Sequence, residues 1–325
     1  MLHNDTTDHP TMNDRIIPLT FETFLRSHRL YNVAFEELTS ASRLLAISAE
    51  MVYAVQGEAL GPVADEILAF VDAGYPPNYI RRYIARCNKL AELQRVFENN
   101  PCTATLGSSD LVDPKDYGLS LLLSIVFTNH RFEITAALTS FLTSLSRQST
   151  GTIASLGAGT GYELKQSRQL LPQWQIDAYD ISGDMRAQAA SLLAFFGIAN
   201  ITFNVTFPLE SLTGELGNRY DAIIACEVLE HLPDPARALR SLRNTLRPGG
   251  KMFLTMAVNM AQEDHVFWYE DIPSCRRQIE ESGLETIEEW ISPQTIILPS
   301  TTREVEFRKG NYIAVVQRPK YANGG

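Results

Sequence analysis

The spacing of apolar residues changes near residue 150 and divides the chain into two regions. From residue 19 to about 129, apolar positions recur every three or four residues, and no alternating run typical of a half-buried strand interrupts them. Glycine and proline break this pattern at 57–62, 74–77 and 99–101, which predicts several separate helices. Residues 1–17 are polar without periodicity. We therefore expect a disordered tail over 1–17 and an all-helical domain over 18–129.

In the second region, short apolar runs alternate with stretches of helical spacing. Strand and helix in alternation predict an α/β fold with a mostly parallel sheet covered by helices on both faces, and we assign it to residues 130–320. The helix predicted at 131–145 fits either domain. The strand-like runs lie at 152–156, 175–179, 201–205, 222–225, 251–256, 285–291 and 312–316.

Composition and charge narrow the function. The 325 residues are 45% hydrophobic and 20% charged, as in globular proteins, and the net charge is −10. This charge argues against non-specific binding to nucleic acid or to anionic membranes. The apolar run at 119–127 is too short to span a membrane, and the polar N-terminus does not resemble a signal peptide. Four separated cysteines without a C-x-x-C pair fit a reducing compartment, so we expect a cytoplasmic protein.

A glycine-rich loop is the strongest local motif. Gly157, Gly159 and Gly161 follow an apolar run and precede a predicted helix, so the backbone can turn sharply and approach a ligand. Asp180 lies 23 residues after Gly157 at the end of the next predicted strand, where an acidic residue binds a ribose diol. Asp177 is a weaker candidate inside that strand. The order G-x-G-x-G, rather than G-x-G-x-x-G, weighs against a nicotinamide or flavin cofactor.

A second motif follows the predicted strand at 222–225. It comprises Cys226, the run E-V-L-E-H-L at 227–232, and P-G-G at 248–250. Together with the glycine loop, this segment resembles the class I S-adenosylmethionine-dependent methyltransferases, in particular their small-molecule branch, over about residues 131–319. The resemblance implies a Rossmann-like sheet of seven mostly parallel strands, S-adenosylmethionine as the cofactor and methyl transfer as the reaction.

The resemblance also implies which residues bind the cofactor. The three glycines would lie under its methionine part, and Asp180 would bind the ribose hydroxyls. Relatives often have an acidic residue for the adenine amino group where this chain has Phe207, so the adenine would contact the Phe207 ring or main-chain groups instead. The implied cofactor-binding residues are Gly157, Gly159, Gly161, Asp180, Ile181, Phe207, Cys226 and Glu227.

A divalent metal ion is a further candidate ligand. Glu227, Glu230 and His231 are spaced i, i+3 and i+4, which places them on one face of a helix, and His265 follows the fifth predicted strand. Two carboxylates and two imidazoles suit such an ion, and certain metal-dependent relatives have this segment. In relatives that bind no metal, the glutamate and histidine orient the turn over the cofactor. In that alternative His231 or His265 is the general base, with Glu230 in the catalytic group.

The helical region has two interpretations. It is either a packing and dimerisation module or a lid that shapes an acceptor pocket. The candidate substrate-binding residues are His130 and Arg131, which could anchor a carboxylate, and the aromatic residues Tyr117 and Trp268, with Tyr269 beside them. Alternatively, 129–133 is a solvated helix cap and the aromatic residues belong to the core.

These observations predict a metabolic or natural-product methyltransferase acting on a small molecule at oxygen, nitrogen or carbon. We expect a homodimer through the N-terminal helices as its assembly. Two alternatives stay open: a protein or RNA methyltransferase of the same fold, and a cofactor-binding regulatory or scaffold protein without catalysis. A nicotinamide-dependent oxidoreductase is the last candidate.

Overall fold

The computed structural model describes residues 59–99, 113–205, 217–293 and 309–320. The predicted tail, the helices expected before residue 59 and Phe207 lie outside these residues. The helices are α1 (Leu60–Gly74), α2 (Tyr79–Asn99), α3 (Pro114–Phe127), α4 (Asn129–Leu145), α5 (Tyr162–Leu170), α6 (Gly183–Phe195), α7 (Pro235–Thr245) and α8 (Ile272–Glu281). The strands are β1 (Thr152–Leu156), β2 (Gln175–Tyr179), β3 (Thr202–Asn204), β4 (Tyr220–Ala225), β5 (Leu246–Val258), β6 (Glu285–Pro293) and β7 (Gly310–Gln317).

The strands form a seven-stranded sheet in the order β3-β2-β1-β4-β5-β7-β6. Strands β1 to β5 pair in parallel, whereas β7 runs antiparallel to both β5 and β6. Leu156 at the end of β1 pairs with Tyr179 of β2 and Ala225 of β4. The carboxyl ends of these strands therefore meet at one edge of the sheet, and the predicted mostly parallel α/β sheet is confirmed.

Helices cover the sheet on both faces, which explains the continuous apolar run 222–225 in β4. Ile223 and Ala225 belong to the core that contains Leu239 of α7 and Ile279 of α8. Ile224, pointing to the opposite face, belongs to the core that contains α4 residues. Strands buried on both faces have continuous apolar runs instead of an alternating pattern.

The helices α1, α2 and α3 share a separate apolar core that extends onto the sheet domain. Phe132, Tyr162 and Leu192 from α4, α5 and α6 belong to it. An ion pair of 2.5 Å between the buried Lys165 of α5 and the partly exposed Glu66 of α1 also joins the two regions. None of the helices in the described ranges is both long and apolar enough to cross a membrane.

Candidate active site

The loop after β1 turns sharply at three glycines. Gly157, Gly159 and Gly161 have φ angles of 58°, 51° and 82°, a region that residues with a Cβ atom rarely adopt. A Cβ atom on Gly161 would also lie only 2.9 Å from Ala189 of α6. A larger residue at this position would therefore prevent the close approach of α5 and α6. Glycine thus permits both the turn and the packing of the helices behind it.

Asp180 follows β2 and binds the glycine loop. Its Oδ2 accepts a hydrogen bond from the Gly159 N–H at 2.9 Å, and its Oδ1 accepts one from the Ser182 N–H at 2.8 Å. The residue is only 9% exposed. Burial raises the pKa of its carboxyl group, although the two N–H donors oppose the change. The alternative candidate, Asp177, is buried within β2 and pairs with Arg219 at 2.6 Å.

The segment after β4 does not form the helical face that the sequence predicts. Glu227 has a positive φ of 53°, and only Leu229–His231 form a short 3₁₀ turn. The Glu227 carboxylate instead pairs with Arg131 of α4, with 3.0 Å between Oε2 and Nη1. The expectation that Glu227, Glu230 and His231 share one helix face is therefore wrong, because the left-handed residue breaks the helical spacing.

Three of the four predicted metal ligands nevertheless lie together. The candidate ligand atoms of Glu230, His231 and His265 are all within 4.8 Å of one another. Both carboxylate oxygens of Glu230 are buried without a hydrogen-bond partner, as is Nε2 of His265. Burial and Glu227 raise the pKa of Glu230, whereas burial and His231 lower the pKa of His265 to about 4. Since buried polar atoms rarely lack partners, this cluster suits a cation.

His231 is oriented by Asp264, a residue that the sequence analysis missed. The His231 Nδ1 atom lies 3.0 Å from the backbone oxygen of Asp264 and 3.6 Å from its Oδ2. A carbonyl oxygen only accepts hydrogen bonds, so Nδ1 carries the proton and Nε2 is left as an acceptor. The signal for Asp264 was its position directly before His265, in the loop after β5.

A cavity of about 880 Å³ lies at this edge of the sheet. It joins the glycine loop to the turn after β4 and to helix α3. Ile181, which is 81% exposed, and Val205, which is 57% exposed, add apolar side chains to its wall. Predicted site residues that line it are Gly157, Gly159, Asp180, Ile181, Cys226, Glu227, His231, Arg131 and Tyr117.

The predicted substrate residues divide into two groups. Arg131 and Tyr117 line the cavity, as expected. His130 is 4% exposed, and burial lowers its pKa to about 3, so neither the substrate role nor the solvated cap fits it. Trp268 packs against Phe97 of α2 with 3.6 Å between ring centroids and is not among the described residues that line the cavity.

Glu163 is a second cavity residue that the sequence analysis missed. It is the second residue of helix α5, just after the glycine loop. Burial, together with Glu227 and Asp180, raises the pKa of its carboxyl group to about 7 against the opposing effect of Arg131. Its position two residues after Gly161 was the only sequence feature that could have indicated a role in the site. The proximity of Arg131 and Glu227 to Glu163 is evident only from the structure.

A comparison of the sequence with protein families finds a match over many of the residues that form this cavity. Residues 154–252 match the family model described as a methyltransferase domain. This match spans β1 with the glycine loop, Asp180 and the turn after β4. Over residues 154–252 the chain is therefore similar to a methyltransferase domain.

The chain is similar to curated relatives over a short stretch. A "ubiquinone biosynthesis O-methyltransferase" of Xanthomonas axonopodis pv. citri is 32% identical over 81 residues, 25% of this chain and 33% of that protein. One of the same name from Acinetobacter baylyi is 31% identical over 70 residues, 22% of this chain and 29% of that protein. The chain thus spans about a third of the length of these relatives.

A solved structure also aligns with part of this chain. It is the 1,6-didemethyltoxoflavin-N1-methyltransferase of Burkholderia thailandensis with bound 1,6-didemethyltoxoflavin and S-adenosylhomocysteine. Its sequence identity is 13% and its TM-score 0.44, and the alignment covers 66% of this chain and 93% of that one.

Proposed function

We propose that this protein transfers the methyl group of S-adenosylmethionine to a small-molecule acceptor. The observation that carries the proposal is the shared cavity, in which the glycine loop and Asp180 lie together with His231 and Tyr117. Its volume of about 880 Å³ falls within the range of small-molecule sites, roughly 300–1,000 Å³. His231 lines this cavity with Nε2 as a hydrogen-bond acceptor, which suits a general base. A regulatory protein without catalysis would not need such a base next to the cofactor site.

The residues around the glycine loop fit the cofactor. Gly157 and Gly159 expose main-chain groups to the cavity, and Asp180 presents a buried carboxylate to the ribose hydroxyls. The Arg131 guanidinium can bind a carboxylate, either that of the cofactor's methionine part or that of an acceptor. When bound, S-adenosylmethionine supplies an electrophilic methyl group on a positively charged sulfur.

For the acceptor we propose a hydroxyl group. The names of the curated relatives, which are O-methyltransferases, support this class. In the proposed step, the acceptor oxygen forms a bond to the methyl carbon while the carbon–sulfur bond breaks and its electron pair stays on sulfur. The hydroxyl proton passes to Nε2 of His231, and Asp264 stabilises the resulting imidazolium.

The test is transfer of a radiolabelled methyl group from S-adenosylmethionine to catechol and 3,4-dihydroxybenzoate, with aniline as a matched amine. We expect transfer to a hydroxyl acceptor. His231→Asn should lower kcat at least about 100-fold, as expected for a lost general base, with unchanged affinity for S-adenosylhomocysteine. Equal turnover of His231→Asn and wild type would refute the role of His231. Binding of the cofactor without transfer to any acceptor would favour the regulatory alternative.

A metal-assisted reaction is the second candidate, because Glu230 and His265 have buried polar atoms without partners. Glu230, His231 and His265 would hold a divalent ion, and its charge would offset the cost of burying the Glu230 carboxylate. The ion would lower the pKa of an acceptor hydroxyl group and so replace His231 as the activating group.

Two further parts of the proposal concern location and assembly. We propose a cytoplasmic enzyme, supported by the free thiols of Cys87, Cys226 and Cys275. A homodimer through the N-terminal helices stays a prediction, which light scattering tests directly: a mass of one chain in solution would refute it.

A further inference from the structure

Helix α2 binds the first part of the segment that joins β5 to α8; we call this part, residues 259–268, the post-β5 loop. The side-chain amide of Gln94 makes two hydrogen bonds to its backbone. Its Oε1 accepts from the Ala261 N–H at 2.7 Å, and its Nε2 donates to the Asn259 carbonyl oxygen at 2.9 Å. One side chain thus satisfies a donor and an acceptor of a loop that lies far away in the sequence.

An ion pair adds a second contact between α2 and the post-β5 loop. The Glu263 carboxylate lies 2.8 Å from Arg86 and 2.8 Å from Lys89. The side chains of Arg86 and Glu263 are both 8% exposed. Burial by itself raises the pKa of Glu263, but Lys89 and Arg86 outweigh it and lower the pKa below its ordinary value. The Glu263 carboxylate is therefore charged and held in place.

The opposite side of the same loop contacts the candidate catalytic residues. The N–H groups of Val266 and Phe267 both donate to the backbone oxygen of Glu230 at 2.9 Å. Asp264 contacts His231 as described above, and Asp264 and Val266 line the cavity. Gln94, Arg86 and Glu263 are not among the described residues that line it. The loop therefore links α2 to the site.

Apolar packing also holds the N-terminal part of α2 on the protein. Its residues Tyr79, Ile80, Tyr83 and Ile84 already lie in the apolar core of the helical region. A buried ion pair contributes little net stability compared with apolar side chains of similar size, because both charges lose water. What such a pair contributes is a defined position for the segment that carries it.

We propose that Gln94, Arg86 and Glu263 are positioning residues that hold the post-β5 loop so that Asp264 and His265 face His231. The helical region would then set the geometry of the acceptor side of the cavity, without contact to the acceptor. This inference rests on the proposed function in one respect, namely that His231 acts on the acceptor. Preorganisation of this kind keeps reacting groups in productive geometry before substrate binds.

Hydrogen exchange measured by mass spectrometry on the S-adenosylhomocysteine complex tests the position of the loop without any turnover. The variants are Gln94→Ala and Glu263→Gln, and the control is Glu92→Gln, which breaks an exposed pair with Arg95 on the same helix. We expect the Val266 and Phe267 amides to exchange at least about tenfold faster than in wild type in both variants. In the control, exchange at these amides should equal that of wild type. Unchanged exchange in the loop, or an equal increase throughout α1 and α3, overturns the proposal.

Kinetics with catechol test the consequence for catalysis. In both variants kcat should fall about tenfold or more, while KM for S-adenosylmethionine stays within about twofold of wild type. Arg86→Lys keeps a positive charge opposite Glu263 and should restore most of kcat relative to Arg86→Ala. A kcat equal to that of Glu92→Gln, or a parallel change in KM for the cofactor, overturns the positioning role. If the wild-type protein transfers no methyl group to any acceptor, the proposed function is refuted instead. The hydrogen-exchange experiment then still tests whether the three residues hold the loop.

Discussion

Asp180 is the single residue on which cofactor binding should depend most. Its carboxylate is buried at the cavity wall and hydrogen-bonded to the glycine loop, so its alignment toward a ribose is set before the ligand arrives. We expect Asp180→Ala to weaken S-adenosylhomocysteine binding at least tenfold, because a hydrogen bond to a charged group is worth about 1.5–3 kcal/mol. Isothermal titration calorimetry measures the Kd, and Asp72→Ala, at an exposed position, is the control. An unchanged Kd would exclude the ribose role.

Glu163 makes a pH-dependent contribution to stability. Its pKa is raised from the ordinary 4.5 to about 7 in the folded protein, so the folded state keeps a proton that the unfolded state releases between these values. Stability therefore falls as the pH rises through this window. Glu163→Gln cannot lose the proton and should melt a few degrees above wild type at pH 8, with about equal Tm at pH 5. Scanning calorimetry measures Tm at both pH values, with Glu92→Gln as control. A Tm difference between Glu163→Gln and wild type that is the same at pH 5 and pH 8 would contradict the prediction.

At the residue scale, the sequence predicts best where the chemistry is local. The glycines and Asp180 follow strands directly, and their patterns are short. Arg131 beside Glu227 and Asp264 beside His231 are contacts across distant segments, which spacing alone does not reveal. A polar run at a helix start usually faces water, whereas the packing of α4 buries His130 here, which spacing alone does not reveal.

At the scale of elements, the turn before α5 depends on glycine. Gly161 has a φ of 82°, and an added Cβ atom would lie 2.9 Å from Ala189 of α6. We expect Gly161→Ala to lower the free energy of unfolding by about 1–3 kcal/mol through strain and overpacking. Urea unfolding followed by circular dichroism measures it. Gly74→Ala is the matched control, because nothing lies within 4 Å of the added atom; equal stability of the two variants would contradict the prediction.

Elements were predictable where one periodicity continues through the whole segment. Apolar runs indicate the central strands, such as β4 and β7, because most positions in these strands are buried. The turn after β4 was not predictable in this way, since its geometry depends on one positive φ at Glu227. That backbone angle is stabilised by partners from other strands: the Glu227 N–H donates to Thr255 of β5 at 2.8 Å, and its carboxylate accepts a hydrogen bond from Asn311 of β7.

At the scale of the whole molecule, the two regions meet through ion pairs that are buried or partly buried, as well as through apolar surface. Lys165 pairs with Glu66, and Arg86 pairs with Glu263. Sequence periodicity separates a helical region from an α/β region, but it carries no information on which polar side chains cross between them. The choice between a dimerisation module and a lid was therefore open at the sequence level, whereas the contacts to the post-β5 loop favour a role at the site.

Metal binding would be visible in the stability of the whole protein. If Glu230, His231 and His265 hold an ion, Mn²⁺ or Zn²⁺ should raise Tm above its value in EDTA by about 5 °C, since ligand at 100 times its Kd adds about 2.7 kcal/mol. Glu230→Gln should lose this rise without lowering the Tm in EDTA, because an amide leaves no charge to bury. Glu227→Gln should keep it, as that carboxylate pairs with Arg131 outside the cluster. Equal metal-induced shifts in both variants would exclude the site, and the general-base mechanism at His231 would then stand alone.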